Sequence, residues 1–481
     1  MNLNRRTILK AIATSGFISQ IQKVNAQDAD AKPMQIGVST RQIDVNGKAA
    51  KVYSLATDGS TKGLYTRYGL PFKAVVSNQL SEETLIHWHG LTAPTGMDGV
   101  PGLSGPVLQP GESREFAFTN RRTGTHWMHS HVGLQEQGLL AAPLIVAEDG
   151  AALVDEQEHV VMLHDFTFRS PAEILAELQS GKGGHAAHMN MTGNMANMDH
   201  SKMVMPSGSM GLMSDIAFDA MLANDRTLAD PEVVQSEKQG RLRLRIINGS
   251  AATNLWIDLG PLQGELIAVD GNAIYPIKDS RFPLAIAQRA DIRVQLPAGP
   301  GAWPVFFHGE GLTQRSGIIL RSGDGSIQKQ SADAENAAAM VDLTLEAALR
   351  PIAVASDNPV ARSEIIMLTG GGSDYVWGLN GKPSMHDILF NVREGERYEI
   401  LMHNMTSMSH PMHLHGHYFN VVAINGRRFH GALRDTVLVP PDAQVAIQFD
   451  ADNPGNWAFH CHHIYHMNSG MMGAIAYQNA A

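Results

Sequence analysis

One cysteine, Cys461, occurs in 481 residues. No disulfide can brace such a chain, so core burial must hold the fold, with metal as the other available support. The same count excludes a Cys-rich zinc module and an all-thiolate iron–sulfur cluster. Hydrophobic residues make up 43% and charged residues 17%, a globular balance. No apolar run reaches the roughly 18 residues of a spanning helix, so no membrane insertion is expected. The formal net charge is −10 and there is no basic tract. That disfavours nucleic acid, whose recognition relies on Lys and Arg neutralising phosphates.

The N-terminus reads as an address. Asn4-Arg5-Arg6-Thr7-Ile8-Leu9-Lys10 resembles a twin-arginine export signal, followed by a mild apolar stretch and a small-residue cleavage site at Val24-Asn25-Ala26. Residues 1–26 are therefore expected to be a signal peptide, with the twin-arginine export machinery as a partner and the periplasm as destination. Without them, 33 basic and 47 acidic residues leave a charge of −14.

The remaining chain is long enough for about three domains, and its patterning is mostly β. Arg241–Ile247, Arg397–Met402 and Gln444–Phe449 alternate polar and apolar residues, as half-buried strands do. Turn signals are dense: Pro110-Gly111, Asn248-Gly249, Asn425-Gly426 and Asn453-Pro454-Gly455. Many short strands with regular turns predict sandwiches or barrels. Pro171 to Leu178 reads as a short helix. The Ala/Glu-rich stretch from Ala332 to Leu349 reads as a linker. Boundaries are expected near residues 150 and 335, giving domains over 33–150, 151–335 and 336–481.

Four histidine clusters carry the chemistry: His87-Trp88-His89, His129-Ser130-His131, the run from His410 to His417, and His460-Cys461-His462-His463 with His466 and Met471 behind it. Average composition would put less than one His in eight residues, yet 410–417 holds four. On a strand, residues i and i+2 face one side, so each His-x-His pair offers two imidazoles together, a half-site for copper. Cys461 should then face away from His460 and His462, letting one strand serve two metal sites through a short covalent path. Two His plus Cys with a weak axial Met describe a blue-copper centre. His410, Cys461, His466 and Met471 can supply it. His87, His89, His129, His131, His413, His415, His460 and His462 remain, enough for three more coppers.

These clusters resemble the four copper signatures of the multicopper oxidase family, bacterial copper-resistance and laccase-like type, across nearly the whole chain. The resemblance implies an all-β chain of three cupredoxin-like Greek-key β-sandwich domains, with three coppers held between the first and third. It implies four copper ions in all. His410, Cys461, His466 and Met471 match the type 1 ligands, and His87 and His413 the type 2 ligands. His89, His129, His131, His415, His460 and His462 match the type 3 pair. It implies that electrons from a reducing substrate pass through Cys461, and that dioxygen is reduced to water. The protons need a carboxylate, for which Asp98, in Met97-Asp98-Gly99, matches the family's acidic residue; it also reads as a turn former. A second acidic relay found in some members would fall at Met467, where this chain has none. Asp435 is a candidate to support the ligands from behind. The remaining histidines, His463 among them, read as structural or as supports behind the ligands.

Substrate preference is expected to turn on residues 185–213. They contain eight methionines, Met189, Met191, Met195, Met198, Met203, Met205, Met210 and Met213, with His185, His188 and His200. The stretch has no hydrophobic period and is expected to be a mobile insertion in the second domain. Thioethers select Cu(I), and the segment resembles the Met-rich insertions of periplasmic copper-resistance oxidases. The first expectation is thus a cuprous oxidase in copper tolerance, acting as a monomer. A laccase-like oxidase of phenols and a copper-sequestering protein are the alternatives.

Overall fold

Period-two burial organises the described chain. In the strand Pro71–Asn78, Phe72, Ala74, Val76 and Asn78 point inward while their neighbours face outward. The computed structural model describes residues 32–57, 59–148, 154–181, 215–353 and 356–478. The export motif at Asn4–Lys10 and the methionine-rich segment 185–213 lie outside the described residues.

Among the described residues the strands form six sheets in three facing pairs. The first pair sets a four-stranded sheet that includes Met34–Val45 and Pro71–Asn78 against another that includes Ile86–His87 and Gly124–Ser130. Ile36, Phe72 and Phe116 of one sheet meet Met128 and Leu144 of the other in one apolar core. The second pair joins a six-stranded sheet, with Arg241–Asn248 and Arg289–Gln295 at its centre, to a five-stranded one. Its core is built from Leu244, Ile292, Ile257 and Phe307. The third pair joins a seven-stranded sheet to a five-stranded one that contains His410–Leu414, Asn456–Cys461 and Met472–Tyr477. Ile400, Phe419, Met412 and Cys461 share its core. Among the described residues no helix is long and apolar enough to cross a membrane.

Local signals explain much of this. Asn425 and Gly426 both take positive φ, 48° and 79°, the conformation of a two-residue hairpin turn, and they join Ile424 to its ladder partner Arg427. The helix predicted from Pro171 runs over Pro171–Gln179 with proline at its start. Its buried Ile174 and Leu178 pack into the third core beside Trp377 and Met408. The stretch 332–349 is more than a tether: Val341 and Leu349 are buried, and Glu346 pairs with Arg434 at 2.7 Å.

One strand differs from its sequence reading. Arg241–Asn248 was expected to expose its arginines, but only Arg241 faces solvent. Arg243 and Arg245 turn inward against the first sandwich. Asp291 takes hydrogen bonds from Arg243 at 2.7 Å, from Arg245 at 2.9 Å and from Thr125 of the first sandwich at 2.6 Å. The alternation holds, but its polar face is a junction. Burial alone would raise the Asp291 carboxyl; the Arg245 and Arg243 guanidiniums outweigh it and hold it below the usual range. Removing one partner of a buried charge group leaves the others uncompensated. Asp291→Ala is expected to lower unfolding free energy by about 3–5 kcal/mol, read by denaturant unfolding; a loss below about 1 kcal/mol would mean that the junction is not held by this group.

Candidate metal centre

Ladder register decides which imidazoles meet. His410–Leu414 pairs with Asn456–Cys461 so that His413 stands opposite His460 and Met412 opposite Cys461. Ile86–His87 pairs with Gly124–Ser130 so that His87 stands opposite His129. Side chains from both ends of the chain thereby converge. Ligand atoms of His89, His129 and His462 lie within 4.8 Å of one another, as do those of His131, His415 and His460, and those of His87, His89 and His413. His415 Nε2 and His460 Nε2 are 2.9 Å apart, and His131 Nε2 is 3.4 Å from the latter.

Most of these rings are held from behind. The Asp98 carbonyl is 2.8 Å from His87 Nδ1, and the Asp98 carboxylate is 2.8 Å from His415 Nδ1. The Asp435 carbonyl is 2.8 Å from His413 Nδ1, while its carboxylate is 3.2 Å from His89 Nε2. The Cys461 carbonyl holds His460 Nδ1 at 2.9 Å. His129 Nδ1 lies 3.0 Å from the Ser130 carbonyl and 2.8 Å from Glu136. Fixing one ring nitrogen in this way sets which nitrogen is free to bind.

Five of the inward nitrogens have no protein partner. His87 Nε2, His89 Nδ1, His129 Nε2, His413 Nε2 and His462 Nε2 are buried without a hydrogen bond. Burial, reinforced by neighbouring imidazoles, pushes His89, His129, His131, His413, His415 and His462 well below the ordinary histidine range. Burial takes His460 down to about 3. Neutral, inward-facing imidazoles are what a cation of borderline softness binds. Each buried nitrogen left unpaired costs about 1–3 kcal/mol, so five together fit a metal-binding cluster and little else.

A second group sits on the far side of Cys461. The Cys461 sulfur is 3.6 Å from His410 Nδ1 and 3.7 Å from His466 Nδ1, and the two nitrogens are 3.2 Å apart. Thr406 Oγ1 is 2.7 Å from His410 Nε2, fixing that ring. The Trp377 ring packs against His466 with centroids 4.0 Å apart. Met471 is fully buried, its amide donating to the His466 carbonyl at 3.0 Å and its carbonyl accepting from Cys461 at 3.1 Å. Burial pushes the Cys461 thiol up, so a thiolate here calls for a bound cation. Two imidazoles and a thiolate held together suit copper, with Met471 tied to them through its backbone.

Asp215, Glu136 and Thr406, near these groups, carry no local sequence signal strong enough to find them, whereas His463 stands within the fourth histidine cluster. Asp215 lies at the outer edge of His466, 3.7 Å from Nε2 and 3.5 Å from His463 Nε2, and accepts from Tyr375. His463 stacks on His466 with centroids 3.7 Å apart. Glu136 is also 3.7 Å from His462 Nδ1. Thr406 is a polar residue in a loop of many. Asp98 ends a short 3-10 turn, so its turn role and its histidine contacts coexist. Gly99 after it has φ 89°, and a Cβ there would strike the Ile86 carbonyl.

The fold and the donors together define a copper protein of stacked β-sandwiches. The multicopper oxidase family models match residues 38–150, 157–321 and 357–481. Multicopper oxidase MmcO of Mycobacterium tuberculosis is 30% identical over 91% of this chain and 85% of its own length. Copper resistance protein A of Escherichia coli is 25% identical over 99% of both. A crystal structure of a multi-copper oxidase from Pseudomonas thermotolerans superposes with a TM-score of 0.70, covering 92% of this chain and 98% of that one at 22% identity. The chain belongs to the multicopper oxidase family, and copper is its cofactor.

Copper should stabilise the folded chain by satisfying these nitrogens. Stripping the metal with a chelator is expected to lower the thermal midpoint by several degrees, reversibly on copper addition. Scanning calorimetry that finds no difference between stripped and loaded protein would contradict the fit.

Proposed function

We propose that the chain is a periplasmic oxidase of Cu(I), exported by the twin-arginine route after removal of residues 1–26, and that it works as a monomer in copper tolerance. Its sandwiches are read as domains over 33–150, 151–335 and 336–481. His410, Cys461, His466 and Met471 would hold the type 1 copper. His87 and His413 would hold type 2, and His89, His129, His131, His415, His460 and His462 the type 3 pair. Copper held there would supply the redox chemistry that couples one-electron oxidation of the donor to four-electron reduction of dioxygen to water. The residues do the rest. Cys461 and its neighbours His460 and His462 form a covalent path between the two groups. Asp98, buried, with Oδ1 3.3 Å from His87 Nδ1 and Oδ2 2.8 Å from His415 Nδ1, would hold and pass on protons. Met467 lines a cavity of about 210 Å³ beside His131, with Glu83 and His386, and adds no acid to it.

The observation that carries the substrate reading is the concentration of soft ligands in residues 185–213, next in sequence to Asp215. Of the segment's flanks, Gly181 lies against the Ser373 carbonyl, two residues before Tyr375, and Asp215 lies against Tyr375, His463 and His466. His185, His188, Met189, Met191, Met195, Met198, His200, Met203 and Met205 would offer Cu(I) its ligands, and the Asp215 carboxylate favours a cation over a neutral phenol at that edge.

Two tests follow from these roles. Cys461→Ser is expected to abolish the blue absorbance and turnover together; a retained blue band refutes the type 1 assignment. Deleting residues 185–213 is expected to lower Cu(I) oxidation under dioxygen while sparing or raising activity on bulky phenolic dyes. Equal loss on both removes the segment's assigned role. Turnover of phenols alone by the intact, copper-loaded chain makes it laccase-like, and binding without turnover makes it a sequestering protein.

A further inference from the structure

The middle sandwich supplies none of the twelve proposed ligands, yet one of its side chains reaches the back of the histidine cluster. Arg289 is fully buried. Its Nη1 donates to Asp435 Oδ1 at 2.7 Å and its Nη2 to Asp435 Oδ2, a two-pronged grip on one carboxylate of the third sandwich. Its Nε donates to the Thr125 carbonyl of the first sandwich at 3.1 Å, and Nη1 also to its own sandwich at Ala287, at 3.0 Å. One guanidinium therefore ties all three sandwiches at a single point. Gly90, directly after His89, has φ 88°, and a Cβ there would stand 2.6 Å from Arg289 Nη2. The guanidinium is packed so close to this backbone that no side chain fits.

Beyond Asp435 lie two rings that stack on each other, His89 and His413, with centroids 3.9 Å apart. Asp435 Oδ1 is 3.2 Å from His89 Nε2, and its carbonyl is 2.8 Å from His413 Nδ1. The other nitrogen of each ring is one of the unpartnered, inward-facing ones. We infer that Arg289 is a positioning residue of the copper cluster: it fixes the Asp435 carboxylate, and through it the orientation of His89 and of the His413 ring stacked upon it. A guanidinium suits this task because its planar fork matches both carboxylate oxygens at once. The inference rests on reading His89 and His413 as copper ligands.

Arg245 supplies the control. It is equally buried, donates to Asp291 and Thr125 at the same junction, and touches no cluster histidine. In the copper-loaded full chain, Arg289→Gln is expected to weaken retention of cluster copper about 10–100-fold against a chelator, with the blue absorbance of the Cys461 site intact. Arg289→Lys, which keeps charge but loses the fork, is expected to fall between. Arg245→Gln is expected to lower the unfolding midpoint without releasing copper. Because Arg289 acts through Asp435, adding Arg289→Gln to Asp435→Asn should release no more copper than Asp435→Asn alone. Wild-type retention in Arg289→Gln overturns the inference, as does copper loss in Arg245→Gln matching that in Arg289→Gln. Multiplying effects in the double variant overturn it too, and so does failure of both Arg289 variants to fold where Arg245→Gln folds, which makes Arg289 a structural brace. Failure of the underlying reading is separate: the wild-type chain itself would then hold fewer than four coppers.

Discussion

Eight imidazoles can be buried face to face only while they are uncharged, and only while each is told which nitrogen to turn inward. That constraint shapes the surroundings of the cluster. Burial favours the neutral form at seven of the rings, and acceptors behind most of them, mainly backbone carbonyls and the carboxylates of Asp98, Asp435 and Glu136, fix their tautomers. Such acceptors must come from several directions, which one sheet cannot provide. The meeting of the first and third sandwiches provides them, and the second sandwich braces the arrangement from behind.

The histidine clusters that the fold brings together were legible because metal chemistry imposes short spacings. A His-x-His pair is a period-two signature, and the single cysteine between two histidines leaves few alternative readings. The fold class was legible for the same reason, since alternation and paired turn residues such as Asn425-Gly426 act over two to seven residues. The supporting residues were not. Arg289, Glu136 and Asp215 lie far in sequence from most of the side chains they touch, and nothing local distinguishes them from other charged residues. Arg243 and Arg245 misled in a different way. Their alternation was read with the arginines outward, because one strand cannot reveal that another sandwich covers its polar face.

Charge burial follows two distinct patterns here. At the junctions, guanidiniums neutralise carboxylates: Arg243 and Arg245 with Asp291, Arg289 with Asp435, Arg434 with Glu346. Around the histidines, Asp98 and Glu136 have no arginine or lysine beside them among the described residues; imidazoles are their ion-pair partners. The first pattern is complete in the protein alone. The second is completed by metal, which separates the parts of the structure that stand by themselves from those that wait for copper.

The pairing of His410–Leu414 with Asn456–Cys461 has a mechanical consequence. Each of these two strands contributes to both metal groups, and the rungs between them are main-chain hydrogen bonds in the middle of a five-stranded sheet. The separation of the two groups is therefore graduated by the ladder like marks on a ruler. Surface loops can lengthen, shorten or change partner without altering it. Under the proposed assignment, the donor side would then vary independently of the oxygen side, the spacing between them being held by this interior ladder.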